Sequence, residues 1–261
     1  MSIQQHMHRP THLRMMGKVS DNFKIADTGS SPLLFEDELN NRWVGKYNTT
    51  SNIYVIANEL IATGLARFCE IPFADGFTRT FHGTDYYFSN WYDEKKLHEV
   101  WHITDPIKTI LRNENEVFEL LCFDIFILNQ DRHWGNILVH GAPGQYLLRA
   151  IDHDRAFFSI GDNLSLINIK NKRFWWHWVH MSNLHLVHLS RFLHIDNLLI
   201  PHSVMDIPNE AIEFVVDSVP DRLLSEPDKD YIIAILKQRR DLLRKFLKQG
   251  ESAKILKFYF A

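Results

Sequence analysis

Residues 114–130, "ENEVFELLCFDIFILNQ", are apolar on nearly every side when wound as a helix. A helix with no polar stripe cannot lie on a surface, so it must run through the middle of a core large enough to surround it. The chain can supply that core, because 261 residues at 45% hydrophobic content exceed what a small stapled domain provides. One large domain or two lobes fit this size. Directly after the apolar stretch comes a polar motif, "DRHWGN" at residues 131–136, before the chain turns apolar again.

Hydrophobic periodicity divides the rest. The runs "FKIA" (23–26), "PLLFE" (32–36) and "RWVGKY" (42–47), separated by "DTGSS" and "DELNN", predict a three-strand antiparallel meander. From Ser51 the period becomes helical, with Ile53, Ile56, Leu60, Gly64 and Phe68 on one stripe and Ser51 or Asn52 as the cap. "FADGFTRTF" (73–81) and "DYYFSNWY" (85–92) predict two more strands, and "DEKKLHEV" and "DPIKTILR" then open mostly helical territory. The shift divides the chain into a tail or edge segment (1–20), a small lobe (21–92) and a large lobe (93–261). Past the motif, "NILVH" (136–140) and "QYLLRAI" (145–151) flank the turn "GAPG". Residues 209–219 and 228–249 predict helices, and the basic run "KQRRDLLRKFLK" reads as a solvated helix face.

Composition excludes several classes. A net charge of −3 from 29 basic and 32 acidic residues, well mixed, gives no charge run that demands nucleic acid or anionic lipid as a partner. The only cysteines, Cys69 and Cys122, lie in apolar segments without zinc spacing, so a reducing cytoplasm is the expected compartment. No run approaches the roughly 18 apolar residues of a membrane span. Within "FWWHWVHMSNLHLVH" the pairs His177/His180 and His185/His188 are spaced for one helix face. They lack neighbouring carboxylates and read as packing or groove wall rather than as metal ligands.

Taken alone, the D-x-H-x-x-N spacing fits a polar turn. Its setting is more specific, because a hairpin follows and Asp152 in "AIDHDRAF" ends the second strand. Magnesium takes oxygen ligands, usually one or two of them from protein, and Asn136 and Asp152 at the two ends of the hairpin are candidates. A hydroxyl acceptor needs a carboxylate to orient it and take its proton, and Asp131 stands five residues before Asn136. Lys46 at a strand end is a candidate cation for nucleotide phosphates, and Glu59 is an acid among apolar neighbours that is costly unless paired. The turn "TGSSP" offers Gly29 for close backbone approach and Ser30 and Ser31 as donors, although by itself it is a β-turn and not a Walker loop. A metal-dependent phosphohydrolase needs its ligands on helices, whereas the segments around Asn136 and Asp152 are strand-like.

As a set, Gly29-Ser30-Ser31, Lys46 in "VGKY", Glu59 in "ANELIATGLA", "NQDRHWGNILV" and "IDHDRAF" resemble the HipA-like kinase family. "DRHWGN" is also similar to the D-R-H-x-x-N loop of phosphatidylinositol kinases. The resemblance spans residues 14–248, taking in "IPNEAIEFVVDSVPDRLL" and "LKQRRDLLRKFL". It implies an α+β, two-lobed protein-kinase-like fold with a small antiparallel-sheet N-lobe carrying one helix, a larger, mostly helical C-lobe, and ATP between them. By that resemblance Gly29, Ser30, Ser31 and Lys46 contact the phosphates and Glu59 pairs with Lys46. Asp131 is then the catalytic base, His133 supports the base or the transition-state charge, Asn136 and Asp152 hold Mg²⁺, and "YYFSNW" (86–91) covers the adenine.

Two departures qualify the expectation. Asp152-His153-Asp154 replaces the Asp-Phe-Gly triplet and no A-P-E segment follows, so a eukaryote-type activation loop is not expected. The chain is shorter than the toxin members and shows no spare N-terminal subdomain, so neither toxin activity nor a DNA-bound partner is expected. The expected function is an ATP- and Mg²⁺-dependent kinase acting on Ser or Thr of a protein. The alternatives are a lipid or inositol-type kinase and an inactive nucleotide-binding scaffold.

Overall fold

The computed structural model describes residues 12–18, 32–100, 110–112, 115–129, 131–157 and 202–248 of the chain. The expected strand at 23–26, the Gly29-Ser30-Ser31 turn and the histidine pairs of residues 177–188 lie outside the described residues. Strands β1 (Leu13–Lys18), β2 (Leu33–Asp37), β3 (Arg42–Lys46), β4 (Gly76–Phe81) and β5 (Thr84–Asn90) form an antiparallel sheet in the order β1-β2-β3-β5-β4. The strand beside β2 therefore comes from the segment read as a tail or edge strand, and Arg14 on it donates to Glu36 across the pair at 2.7 Å.

The β2–β3 turn is held by one carboxylate. Asp37 accepts from the backbone N–H of Leu39 and Asn41 (both 2.8 Å), from the Asn41 amide (2.9 Å) and from the Trp43 indole (3.1 Å). On the face of the sheet opposite Tyr87, whose hydroxyl meets Thr63 of the helix after β3, Phe35, Trp43, Phe77, Tyr86 and Phe88 make an aromatic cluster. This anchors β3, so that Lys46 arrives at the strand end in a fixed place.

Helix α1 (Val55–Phe68) begins later than the hydrophobic stripe suggests. Its first N–H groups are satisfied from upstream, by Asn48 Oδ1 on Ile56 N (3.0 Å) and Asn52 Oδ1 on Tyr54 N (3.2 Å). Ile53 consequently falls in the entry turn and is 56% exposed instead of facing inward. After α1 the chain runs beside the far hairpin, with Ala74 N donating to Ala150 O (3.1 Å) and Ala150 N to Pro72 O (2.9 Å).

A second sheet, in the order β6-β7-β8, is formed by β6 (Lys95–Lys96), β7 (Ile137–His140) and β8 (Leu147–Ala150). The Lys95–Lys96 pair, expected to be helical, is a strand because it pairs with Val139 and Leu138, and helix α2 (Leu97–Val100) follows it. The end of "DPIKTILR" is not helical either. Tyr146 N donates to Ile110 O (3.0 Å) and Arg112 N to Tyr146 O (2.8 Å), a bridge that no local periodicity announces.

Helix α3 (Asn115–Ile127) is the apolar segment, and from Val117 to Ile127 every side chain but Glu119 is buried. Around it stand α4 (His202–Met205), α5 (Asn209–Asp217) and α6 (Glu226–Lys248). One apolar cluster joins α1, α3, the β7–β8 hairpin, α5 and α6. Gly64 lets α1 and α5 approach closely, since a Cβ there would lie 2.6 Å from Val215 Cγ1.

The solvated-face reading of α6 does not hold. Arg239 and Arg240 are buried: Arg239 donates to Phe126 O (2.7 Å) and to Ile125 O, Arg240 to Ile207 O (2.8 Å), and Arg244 to Met205 O (2.6 Å). The last carbonyls of α3 have no partner within their own helix, and buried guanidinium groups supply the donors where water cannot reach. Among the described residues no helix is long and apolar enough to cross a membrane.

Candidate active site

The polar loop after α3 is built on a buried ion pair. Asp124, the single acid in the fully apolar stretch of the helix, meets Arg132 through Nε–Oδ2 (2.9 Å) and Nη2–Oδ1 (3.2 Å), both side chains fully buried. Asn129 adds a third bond to Asp124 Oδ1 at 3.0 Å. Arg132 also donates to Asn136 O (2.8 Å) and to Ile151 O, tying the helix, the loop and both ends of the hairpin together. Sequence reasoning missed this pair. The signal was there in Asp124, an acid that an apolar helix cannot bury without a cation.

Fixed by Arg132, the loop presents its other polar groups. Asn136 Nδ2 donates to Asp131 O (2.9 Å), which leaves the Asn136 Oδ1 as an acceptor. The Asp131 carboxylate is partly exposed and faces Arg155 Nε at 3.5 Å. Burial raises its pKa, Arg155 opposes the rise and Asp152 adds to it, with the net result above the ordinary carboxylate value. His133 caps the short turn Trp134–Asn136, its Nδ1 accepting from Gly135 N at 3.0 Å, so the proton sits on Nε2. Burial holds this imidazole below its usual pKa against the pull of Asp131 and Asp152.

Opposite the loop, Lys46 Nζ donates to Glu59 Oε1 and, at 2.7 Å, to Asp152 Oδ1. The consecutive elements β3 and α1 and the end of β8, 106 residues beyond Lys46, therefore converge on one ammonium. Burial alone would strip its proton, but Asp152 and then Glu59 reverse that and keep Lys46 charged. The same logic works on the acids. Burial pushes Asp152 and Glu59 up, Lys46 pulls both down, and both end below their ordinary values. Asp152 takes a left-handed backbone, φ 63°, a conformation a non-glycine residue keeps only where its surroundings impose it. Asp154, half-buried beside Asp152, is driven well above the usual range by loss of solvent first and by that neighbour second.

Lys46, Glu59, Asp131, His133, Asn136 and Asp152 thus all lie among the described residues, and the hairpin register Ile137↔Ala150 sets Asn136 and Asp152 at the same end. Their chemistry suits magnesium: an amide oxygen and an ionised carboxylate are hard ligands, and the acids around Lys46 outnumber the nearby cations. Among the described residues no group of three or more His, Cys, Asp and Glu side chains forms a metal cage, and a two-ligand magnesium site needs none. Sequence reasoning also missed Asn52, Asn58 and His153, which contact or lie within the Asp152-His153-Asp154 triplet.

No protein-family model and no curated protein matches the chain. Among solved structures, the Helicobacter pylori proinflammatory kinase CtkA is 10% identical, with a TM-score of 0.52 over 87% of this chain and 92% of that one. The HipA of a Shewanella oneidensis MR-1 toxin–antitoxin complex with HipB and operator DNA is 12% identical, with a TM-score of 0.44 over 97% of this chain and 76% of that one. At 10% identity the likeness to CtkA speaks for architecture alone. By that architecture the chain is a two-lobed α+β protein of kinase-like fold, the fold that its resemblance to the HipA-like kinases implies.

Proposed function

We propose that the chain is an ATP- and Mg²⁺-dependent phosphotransferase that uses a hydroxyl acceptor, most simply Ser or Thr of a protein. One observation carries the reading: Lys46 is joined at once to Glu59 and Asp152, opposite a loop that presents Asp131 and Asn136. In this reading Lys46 engages the nucleotide phosphates and Glu59 holds it in place. Gly29, Ser30 and Ser31 supply further phosphate donors, and Asn136 and Asp152 hold the metal. Magnesium, when bound, neutralises charge on the transferring phosphoryl group.

Asp131 receives the acceptor hydroxyl through a hydrogen bond and takes its proton as the new O–P bond forms. The bond from the γ-phosphorus to the bridging oxygen breaks, and its electron pair leaves with ADP. Arg155 contacts Asp131, so the acceptor hydroxyl competes with it for the carboxylate. His133 is left with Nε2 alone for the acceptor or the transition state. We place the enzyme in the cytoplasm, where its two buried free thiols stay reduced.

The test is incubation with γ-labelled ATP and Mg²⁺, comparing wild type with Asp131→Ala and Asp152→Ala. Wild type should label a protein acceptor in a lysate or itself, and both variants should lose the label. Label that appears in the organic phase instead would move the acceptor to a lipid. No label in any sample, together with no thermal shift on adding Mg·ATP, would remove the kinase reading.

A further inference from the structure

Helix α1 does more than hold Glu59 against Lys46. Asn58, fully buried, donates from Nδ2 to Asp154 O at 2.8 Å, and Asn52 at the mouth of the helix donates to the same carbonyl at 3.1 Å. One position on, Glu59 Oε1 accepts from His153 N at 3.0 Å. Three bonds thus run from α1 and its entry turn to the two residues that follow Asp152. Asp152 itself sits at φ 63°. A buried Asn that only satisfied itself would need no second amide converging on the same carbonyl.

We propose that Asn58, assisted by Asn52, is a positioning residue for Asp152. By fixing the carbonyl of Asp154, it sets the left-handed bend that turns the Asp152 carboxylate toward Lys46 and the Asn136 end of the hairpin. It touches neither nucleotide nor metal, and it acts only through the backbone. The inference rests on the kinase reading above, in which Asp152 is a magnesium ligand. Groups that orient a metal ligand from behind cost about 10- to 100-fold in metal affinity when removed. The same helix would then position both the phosphate-binding cation and the metal-binding carboxylate, one through Glu59 and the other through Asn58.

The full chain is titrated with Mg²⁺ at a fixed concentration of a fluorescent ATP analogue, for wild type, Asn58→Ala, Asn58→Asp and Asn52→Ala, with unfolding temperatures measured alongside. The Mg²⁺ concentration for half-maximal binding should rise about 10-fold or more in Asn58→Ala and less in Asn52→Ala. Asn58→Asp, which sets an anionic oxygen against the Asp154 carbonyl, should be no better than Asn58→Ala. A lowered unfolding temperature with an unchanged Mg²⁺ half-point makes Asn58 a purely structural residue and overturns the inference. Wild type that fails to bind the analogue with Mg²⁺ defeats the kinase reading and this one with it. Normal wild-type binding matched by Asn58→Ala defeats this one alone. If Asn58→Ala does not fold, Asn52→Ala decides, and an unshifted Mg²⁺ half-point in that variant overturns the inference.

Discussion

The acids around Lys46 occupy neighbouring space yet are pushed in opposite directions. Asp152 and Glu59 sit on the ammonium and are held below their ordinary pKa, while Asp131, facing Arg155 at a looser 3.5 Å, is raised by burial and by Asp152. That separation suits a division of labour in which two acids stay ionised to bind and one is made the more basic carboxylate. Because the base must be deprotonated to act and its pKa is raised, turnover should fall as pH drops through a value above the ordinary carboxylate range. A kcat–pH profile measures that limb, and a limb at or below the ordinary carboxylate value contradicts the assignment. Asp131→Asn should lower kcat by about 10²- to 10⁴-fold and leave nucleotide binding intact, as read by the thermal shift with Mg·ATP.

At the scale of elements, α3, the loop and the hairpin form one unit because Asp124 and Arg132 are buried together. Replacing Arg132 with Met leaves an uncompensated carboxylate in the core and should cost about 3–5 kcal/mol in urea unfolding. A loss below about 1 kcal/mol would mean that the pair does not organise the loop. The helices α1, α3, α5 and α6 were legible in the sequence because an apolar stripe, or the lack of any polar one, is a local property. Strand β6 was not, since a two-residue strand exists only through its partner Val139–Leu138, more than about forty residues away in the chain. The same distinction runs through the site. Lys46, Glu59, Asp131, Asn136 and Asp152 stood out as polar residues at apolar borders. Arg132 and Asn52 lie among other polar residues, Asn58 stands beside Glu59 in an apolar stretch, and only the fold shows the carbonyls and carboxylates they face.

For the whole molecule, the continuous apolar cluster from α1 to α6 means that the helix of the small lobe and the helices of the large one share a core. Cys69 at the end of α1 and Cys122 in α3 both belong to it, and burial pushes the first thiol up to about 12 and the second higher still. Neither should react with a thiol reagent in the native state. Both should become reactive at the same rate in denaturant, and a Cys69 that reacts well before Cys122 would show that α1 unfolds separately. The lysine that bridges Glu59 and Asp152 has a last consequence. Lys46 serves as the counterion of Asp152, so under the proposed kinase reading both ligands would meet an existing ion pair. Bound phosphates would compete with Asp152 for the Lys46 ammonium, and Asp152 would then be free to hold the metal with Asn136, so each ligand would be better accommodated with the other present. Loading would then be an exchange of counterions, and any synergy between nucleotide and magnesium would run through a single side chain.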